Sequence, residues 1–468
     1  MKLFSEGKSY KLYEGDMNDM LEVLSPNSID SIVTDPPYEL NFMAKSWDSS
    51  GVAFQKSTWE KCLTVLKPGG YLLAFGGTRT YHRIACAIED AGFEIRDTIM
   101  YLYGSGFPKS MNLGKAVEGK LTIGSGNVKD IKKLDGVTYN VSCGFNRTGK
   151  ITGYRDKEYE LTKTDVVYHT EEGQKWSGWG TALKPAYEPI IVARKPCEGA
   201  CIDNVLKYGV GGINIDGCRI GDDEIVTNGA RATTVRGDER EGAALGYNAP
   251  HDPINTTHTG RYPSNVILNY DDDTKEEVCG GMPYTKTGDL FPYQEKETTS
   301  EIYGFNNKPA FRNVTHTGDS GSAARYFYCA KASSKDRDEG CENLEDKHLA
   351  MSNQAQAELG RGNTEFNGGN FDSPMNAFNK VQVVKNNHPT VKPQTLMQYL
   401  VRLVTPKGGT VLDPFNGSGS TGKACMYENR EQDSNYKYIG IELTSEYLPI
   451  SDARIKFVVN KPKTFKLF

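Results

Sequence analysis

The sequence predicts an α/β protein with one parallel, Rossmann-like sheet whose strands come from both ends of the chain. Three observations predict it. β-rich runs alternate with helical segments near the N-terminus and again near the C-terminus, the pattern of βα units. A glycine-rich turn, Asp413-Pro414-Phe415-Asn416-Gly417-Ser418-Gly419-Ser420-Thr421-Gly422, follows a short apolar run and opens a helix. The long stretch between the two ends lacks sustained periodicity.

At the N-terminal end, Ser31-Ile32-Val33-Thr34 is a β-rich run that leads directly into Asp35-Pro36-Pro37-Tyr38. A helix is expected from about Trp59 to Leu66, stopped by Lys67-Pro68-Gly69-Gly70, where proline and glycine cannot sustain it. Tyr71 to Phe75 reads as a buried strand, Thr80 to Ala91 as a helix closed by Gly92, and Phe93 to Tyr103 as a further strand. The C-terminal end repeats the logic. Gln394 to Val404 is an amphipathic helix stopped by Pro406-Lys407-Gly408-Gly409. Thr410 to Leu412 is a strand, Ser420 to Glu428 a helix and Tyr438 to Ile441 a strand.

Residues from about 110 to 180 and from 197 to 380 are rich in Gly, Asn, Thr, Asp and Lys. Long irregular insertions in a compact domain are usually functional or disordered. Tyr187 to Val192 is the exception and is expected to return to the sheet. Arg261 to Leu268 and Tyr326 to Ala330 read as isolated strands.

The chain has 468 residues, 37% hydrophobic and 25% charged, as expected of a soluble globular protein with room for a buried core. Its 49 glycines, about a tenth of the chain against a usual ~7%, fit many turns better than a helical bundle. The formal net charge of -5 neither advertises nor excludes nucleic-acid binding, because a basic groove can sit on an acidic protein. The ten cysteines lie singly, and the pair Cys197 and Cys201 has no second pair or nearby histidines, which argues against a zinc site. No apolar run is long enough for a membrane span and no signal-peptide pattern is seen, so the expected location is the cytoplasm.

The glycine turn carries the first functional signal. Glycines let a backbone approach a ligand, and the helix it opens offers free N–H groups. Glu442 ends the next strand, where a carboxylate suits a two-point grip on ribose hydroxyls. Gly417 through Lys423 also matches the phosphate-binding loop of NTPases. Position 424 is Ala rather than Ser or Thr, and Asp413 would sit beside the phosphates, so that match is rejected.

Asp35-Pro36-Pro37-Tyr38 carries the second. The exocyclic amine of adenine or cytosine is a poor nucleophile because its lone pair is delocalised into the ring. A carboxylate and a backbone carbonyl that accept both N–H bonds draw the nitrogen toward tetrahedral geometry. The Asp35 carboxylate and the Pro36 carbonyl supply those acceptors, the two prolines stiffen the loop, and Tyr38 offers a face for a flipped base.

Together with His388-Pro389-Thr390-Val391-Lys392-Pro393, these motifs make the chain resemble the amino-methyltransferases of DNA. The order, catalytic loop first and cofactor turn last, is similar to their circularly permuted β-class, whose donor is S-adenosylmethionine. The resemblance covers about residues 8–110, 178–196 and 385–457. It implies a methyltransferase sheet with helices on both faces, interrupted by irregular target-recognition insertions. It implies that Asp35, Pro36, Pro37 and Tyr38 are catalytic. It implies that Asp413, Phe415, Gly417, Gly419 and Thr421 line the donor, Glu442 holds its ribose, Asp16 meets its adenine edge, and Thr390 and Lys392 hold its carboxylate end. Lys392 has a second reading as a solvated surface lysine, and His388 is expected to position rather than to act as a base. No metal is implied.

The implied division is 1–110 for the catalytic half, 111–178 for an insertion, 179–196 for the return strand, 197–380 for target recognition and 381–468 for the cofactor half. Phe107 and Lys109 fall where the family lines the target-base pocket, and read equally well as a core aromatic and a surface lysine. Trp179 and Tyr187 read as structural. Lys129, Lys132 and Lys133, and the Ala324-Arg325-Tyr326-Phe327-Tyr328 run with Lys331 and Lys335, are candidate DNA contacts or simply solvated positions. An initial Asp in the catalytic loop goes with N6-adenine in the resemblance, with N4-cytosine as the alternative and a catalytically silent DNA-binding relative as a third reading. Double-stranded DNA is the implied partner, and a homodimer and a cognate restriction endonuclease are further possibilities.

Overall fold

The computed structural model describes residues 2–40, 46–103, 110–124, 168–228, 255–269, 284–286, 320–322, 327–330, 336–350 and 381–461. The chain divides into two compact units, Met1–Ile213 with Lys331–Phe468, and Asn214–Ala330.

In the first unit the N-terminal run is β1 (Lys2–Glu6), β2 (Tyr10–Glu14), α1 (Met17–Val23), β3 (Ile29–Thr34), α2 (Lys56–Val65), β4 (Leu66–Phe75), α3 (Tyr81–Asp90) and β5 (Glu94–Tyr103). After α4 (Leu113–Ile123) and the short α5 (Glu171–Lys175), β6 (Tyr187–Arg194) returns to the sheet and α6 (Cys201–Tyr208) leaves it. The C-terminal run is α7 (Gln394–Val404), β7 (Thr410–Asp413), α8 (Ser420–Glu431), β8 (Lys437–Glu442) and α9 (Leu448–Asn460). Both termini feed one sheet, as the alternating pattern predicts.

Within this unit the strands lie in the order β1-β2-β8-β7-β3-β4-β6-β5. From β2 to β4 each strand is parallel to its neighbour. The expectation of an all-parallel sheet is corrected at both flanks. β1 runs antiparallel to β2, and β6 runs antiparallel between β4 and β5. A hairpin needs only a tight turn to reverse β1, whereas β6 follows a long insertion that frees it to enter from either edge.

α2 stops at Val65, before Lys67-Pro68-Gly69-Gly70 as expected, but the strand begins earlier than Tyr71 and takes these four residues into β4. Ile29 pairs with Leu66 but Ser31 pairs with Tyr71, so these residues bulge out of the ladder. Their backbone bonds go to Lys195 at the end of β6, through Gly69 N to Lys195 O at 3.0 Å and Lys195 N to Gly70 O at 2.9 Å. A proline is tolerated there because a bulge needs no ladder donor.

The pleat divides the core. Ile32, Leu72, Ala74, Ile191 and Ala193 point to one face, where they pack with Met20 of α1, Trp59 and Val65 of α2 and Ile88 of α3. Alternate residues, Val33, Leu73 and Phe75, are buried on the other side, where α7 lies on β3 and β4 and α8 lies on β7 and β8. The helices therefore cover both faces, which is why the central parts of β3, β4 and β7 read as short apolar runs.

The connections diverge between β7 and β3. From β7 the chain crosses through α8 to β8 on one side, and from β3 it crosses through α2 to β4 on the other. Such a switch point leaves a crevice outside the carboxyl ends of the strands, where ligands bind in open α/β sheets. The Asp35-Pro36-Pro37-Tyr38 loop follows β3 and the glycine turn follows β7, so the fold delivers both to this crevice.

The second unit contains an antiparallel hairpin, Ile220–Asn228 with Asn255–Arg261, in which Arg261 Nη1 meets Asp223 Oδ2 at 2.6 Å. Arg261 to Leu268, read as one strand, is two: Arg261 ends the hairpin and Val266–Asn269 begins another strand. That strand pairs in parallel with Tyr328–Cys329, so neither segment is isolated.

Candidate active site

A cavity of about 910 Å³ opens at the switch point. Its wall includes Asp35, Pro36, Pro37 and Tyr38 together with Asp413, Phe415, Gly417, Thr421 and Glu442. The fold thus brings together two motifs that are far apart in the chain. Asp16, Thr390 and Lys392 also line it, as does His388. Gly419 is not among the residues that line it, and Phe107 and Lys109 lie outside the described residues, as do Lys129, Lys132, Lys133, Arg325, Tyr326, Lys331 and Lys335.

The two strand ends are tied directly. Thr34 Oγ1 donates to Asp413 Oδ1 at 2.6 Å, Phe415 N donates to the same oxygen at 3.1 Å, and Thr421 Oγ1 donates to Oδ2 at 2.7 Å. Burial pushes the Asp413 carboxyl up to about 6, against the pull of these three donors. Asp413 and Thr421 therefore hold the turn in shape while bordering the cavity.

The glycines serve close approach. Gly417 has φ +51°, and a Cβ there would stand 2.9 Å from His388 Nε2; Gly419 has φ +74°, and its Cβ would stand 2.3 Å from Ser451 Oγ. Behind the turn the fully buried Arg454 donates to Ser418 O at 2.6 Å and to Ser418 Oγ at 2.9 Å. The NTPase reading fails physically as well, because Lys423 is buried behind the turn and paired with Glu339 at 2.8 Å.

Glu442 lies at the end of β8 with its carboxylate on the cavity. Oε2 accepts from Gly417 N at 2.6 Å and Oε1 from Thr444 N at 2.8 Å. Thr444 adds a side-chain hydrogen bond, so three of the roughly four acceptor sites of the carboxylate are taken. Burial raises the carboxyl to about 7, although both backbone donors oppose the rise. Asp16 caps α1 by accepting from Asn18 N at 2.7 Å. Phe415 leans on Trp59 with ring centroids 6.5 Å apart. His388 meets Tyr447 edge-on at 4.5 Å, and its Nδ1 is hydrogen-bonded to Thr390 O. Burial lowers the His388 imidazole to about 4, which keeps it neutral at physiological pH and suits a positioning role.

Across the cavity, Lys392 is not a solvated surface lysine. Its ammonium lies 3.0 Å from Asp35 Oδ2 and 3.3 Å from Glu188 Oε2, and donates to Tyr38 OH at 3.0 Å. Burial works against the charge, yet Asp35 and Glu188 hold the ammonium above the ordinary lysine range. Burial and the nearby Asp35 and Glu188 carboxylates keep the Tyr38 phenol protonated. The other Asp35 oxygen, Oδ1, is buried and has no hydrogen-bond partner among the described residues.

Glu188 is a member of the site that sequence reasoning does not find. It stands at the start of β6, and because β6 runs antiparallel, its first residues lie beside the carboxyl end of β4: Phe75 pairs with Ile190. The signal was present in a carboxylate beside a predicted strand, but the strand's direction was needed to read it.

Among the described residues, no group of three or more His, Cys, Asp or Glu is placed to hold a metal ion, and no helix is long and apolar enough to cross a membrane.

Comparison with known proteins bears on what this geometry belongs to. The chain is 39% identical over 69 residues to the DNA adenine methyltransferase YhdJ of Escherichia coli, a match covering 15% of this chain and 21% of that protein. It is 25% identical over 233 residues to the type II methyltransferase M2.LlaDCHI of Lactococcus lactis, covering 45% and 82%. The chain thus spans only about a fifth of YhdJ. Among solved structures, the PvuII DNA methyltransferase (cytosine-N4-specific) aligns with 98% of this chain and 96% of its own at 12% identity and a TM-score of 0.39. The family model for the N6/N4 DNA methylases matches residues 29–453, a span that runs from the strand before the catalytic loop to the helix behind the cofactor turn. The chain belongs to this DNA methylase family.

Proposed function

We propose that this protein transfers a methyl group from S-adenosylmethionine to the exocyclic amine of a base in double-stranded DNA, with N6 of adenine as the target. The observation that carries the reading is the buried, unpartnered Oδ1 of Asp35 beside a cavity whose opposite wall is the glycine turn and Glu442. An unpaired buried acceptor costs about 1–3 kcal/mol, so a site that keeps one open has a donor to receive. An amino group supplies it.

The residues fit the donor. Glu442 has acceptor capacity left for a ribose hydroxyl, Asp16 lines the same cavity for the adenine edge, and Gly417 lets the turn pack closely on His388. When bound, S-adenosylmethionine supplies a methyl already activated by its positive sulfonium, so proximity and alignment account for most of the rate. Asp35 Oδ1 accepts one N–H of the target amine and the Pro36 carbonyl the other, which localises the nitrogen lone pair toward the methyl carbon. Tyr38 receives the face of the extruded base, whose flipping costs a few kcal/mol. Adenine is favoured over cytosine by the initial Asp of the loop and by the likeness to YhdJ, a DNA adenine methyltransferase. The permuted β-class order, a target-recognition role for residues 197–380, a homodimer, a restriction partner and a cytoplasmic location complete the reading.

Incubation with the donor and genomic DNA, followed by nucleoside mass spectrometry, tests it. N6-methyladenine is expected. N4-methylcytosine would correct the base, and the absence of any methylated base would refute the reading.

The Glu442 carboxyl, raised to about 7, gives a pH dependence with a definite sign. An ionised carboxylate accepts ribose hydroxyls better than a protonated one, and ionisation grows as pH rises through the raised pKa. Donor affinity should therefore tighten by up to about tenfold between pH 6 and 8. Calorimetric titration of the wild type across that range checks it, and a flat profile contradicts the assignment.

A further inference from the structure

The proposed chemistry requires Asp35 to offer one oxygen to the substrate while the other stays occupied. Lys392 meets that requirement. An ammonium has three N–H donors, and Lys392 faces three acceptors: Asp35 Oδ2, Glu188 Oε2 and the Tyr38 oxygen. Its side chain is only 10% exposed, and the ammonium also lies over the rings of Phe75 and Tyr38, 4.8 and 5.3 Å from their centroids. It has no donor left for the carboxylate end of a bound cofactor, the role that the motif resemblance implies.

We propose that Lys392 and Glu188 are positioning residues for Asp35, a reading that rests on Asp35 receiving the target amine. Lys392 clamps Oδ2, which restrains the carboxylate and leaves Oδ1 as its oxygen without a hydrogen-bond partner among the described residues. Glu188 grips Lys392 from β6, which fixes the clamp and leaves the three charged groups with a net negative charge. Without that second carboxylate, Lys392 would draw more of the Asp35 charge to itself. Without the ammonium, two carboxylates would face each other in a partly buried site, which disfavours the state in which both are charged. The other titratable groups around this cluster are Tyr38 on the same loop, Tyr103 at the end of β5, His388 before α7 and Asp413 at the end of β7.

The test compares wild type, Lys392→Met, Lys392→Arg and Glu188→Gln in donor affinity, kcat and the pH profile of kcat, with thermal melts to verify folding. Lys392→Met should lower kcat by roughly 10²-fold, leave donor affinity within about twofold and move the acid limb of the profile upward. Lys392→Arg should recover part of kcat. Glu188→Gln, which removes a negative neighbour, should move the acid limb downward with a smaller loss. Shifts in opposite directions distinguish electrostatic positioning from packing. A marked loss of donor affinity at unchanged kcat in Lys392→Met would overturn the proposal in favour of a cofactor contact. Falls in kcat with an unmoved acid limb in Glu188→Gln would reduce both residues to packing. An inactive wild type would instead overturn the function on which the proposal rests.

Discussion

Asp35→Ala is expected to lower methyl transfer by roughly 10²–10³-fold, the range for removing one hydrogen-bonding group aimed at the reacting centre, while the donor binds with near wild-type affinity. The separation follows from geometry. Asp35 follows β3, whereas the turn and Glu442, proposed to hold the donor, follow β7 and end β8. The substitution removes the Oδ1 acceptor and frees Lys392 from one of its two carboxylates, so Asp35→Asn is the cleaner companion. It keeps an oxygen of similar reach but discards the charge, and should retain more activity than Ala. Single-turnover rates with saturating donor, set beside calorimetric donor affinity, measure the split. Unchanged turnover in Asp35→Ala would remove Asp35 from the chemistry.

Glu442→Ala should have the converse signature, with donor affinity weakened by about 10²-fold, or some 2.7 kcal/mol, and much of the single-turnover rate recovered at saturating donor. Two losses combine here. The ribose hydroxyls lose their acceptor, and the backbone N–H groups of Gly417 and Thr444 lose theirs, at 2.6 and 2.8 Å in the wild type. Because Gly417 sits in the turn with φ +51°, freeing its N–H also loosens the loop that borders the cavity. Glu442→Gln should fall between, since an amide oxygen replaces only one of the two acceptors. Wild-type donor affinity in Glu442→Ala would refute the ribose assignment.

The contrast between these variants and the Lys392 series reflects how the cavity is built. One wall is a turn held by internal bonds, with Asp413, Thr421 and Arg454 all occupied in shaping it. The other is a charged cluster whose members neutralise one another except at a single oxygen. On the proposed reading, donor binding and amine handling should respond to different residues although they share one cavity.

Much of this was legible in the sequence. Apolar runs and their stops located the helices and strands at both ends, because β3, β4 and β7 are covered on both faces and are largely apolar, with Ser31, Thr34 and Asp413 buried in hydrogen bonds. Gln394–Val404 is recognisable from its periodicity alone. The two motifs also declared their chemistry locally, since a glycine turn after a strand and a rigid Asp-Pro-Pro-Tyr loop owe their properties to backbone conformation and to adjacent side chains. Their proximity follows from the rule that ligands collect at the carboxyl ends of such strands.

Strand direction was decided only by the tertiary structure. Periodicity of two residues says which face a side chain takes and nothing about which way the strand runs. With β6 parallel, Glu188 would lie at the far edge of the sheet; with β6 antiparallel, it reaches Lys392. The same holds for Lys392, a lysine before a proline that sequence alone leaves open between surface and site. Its burial among Asp35, Tyr38 and Glu188 depends on four segments meeting in space, and no local pattern encodes that meeting. The sequence by itself determined the fold class and the two reacting walls; the packing of long-range segments decided how their charges are set against one another.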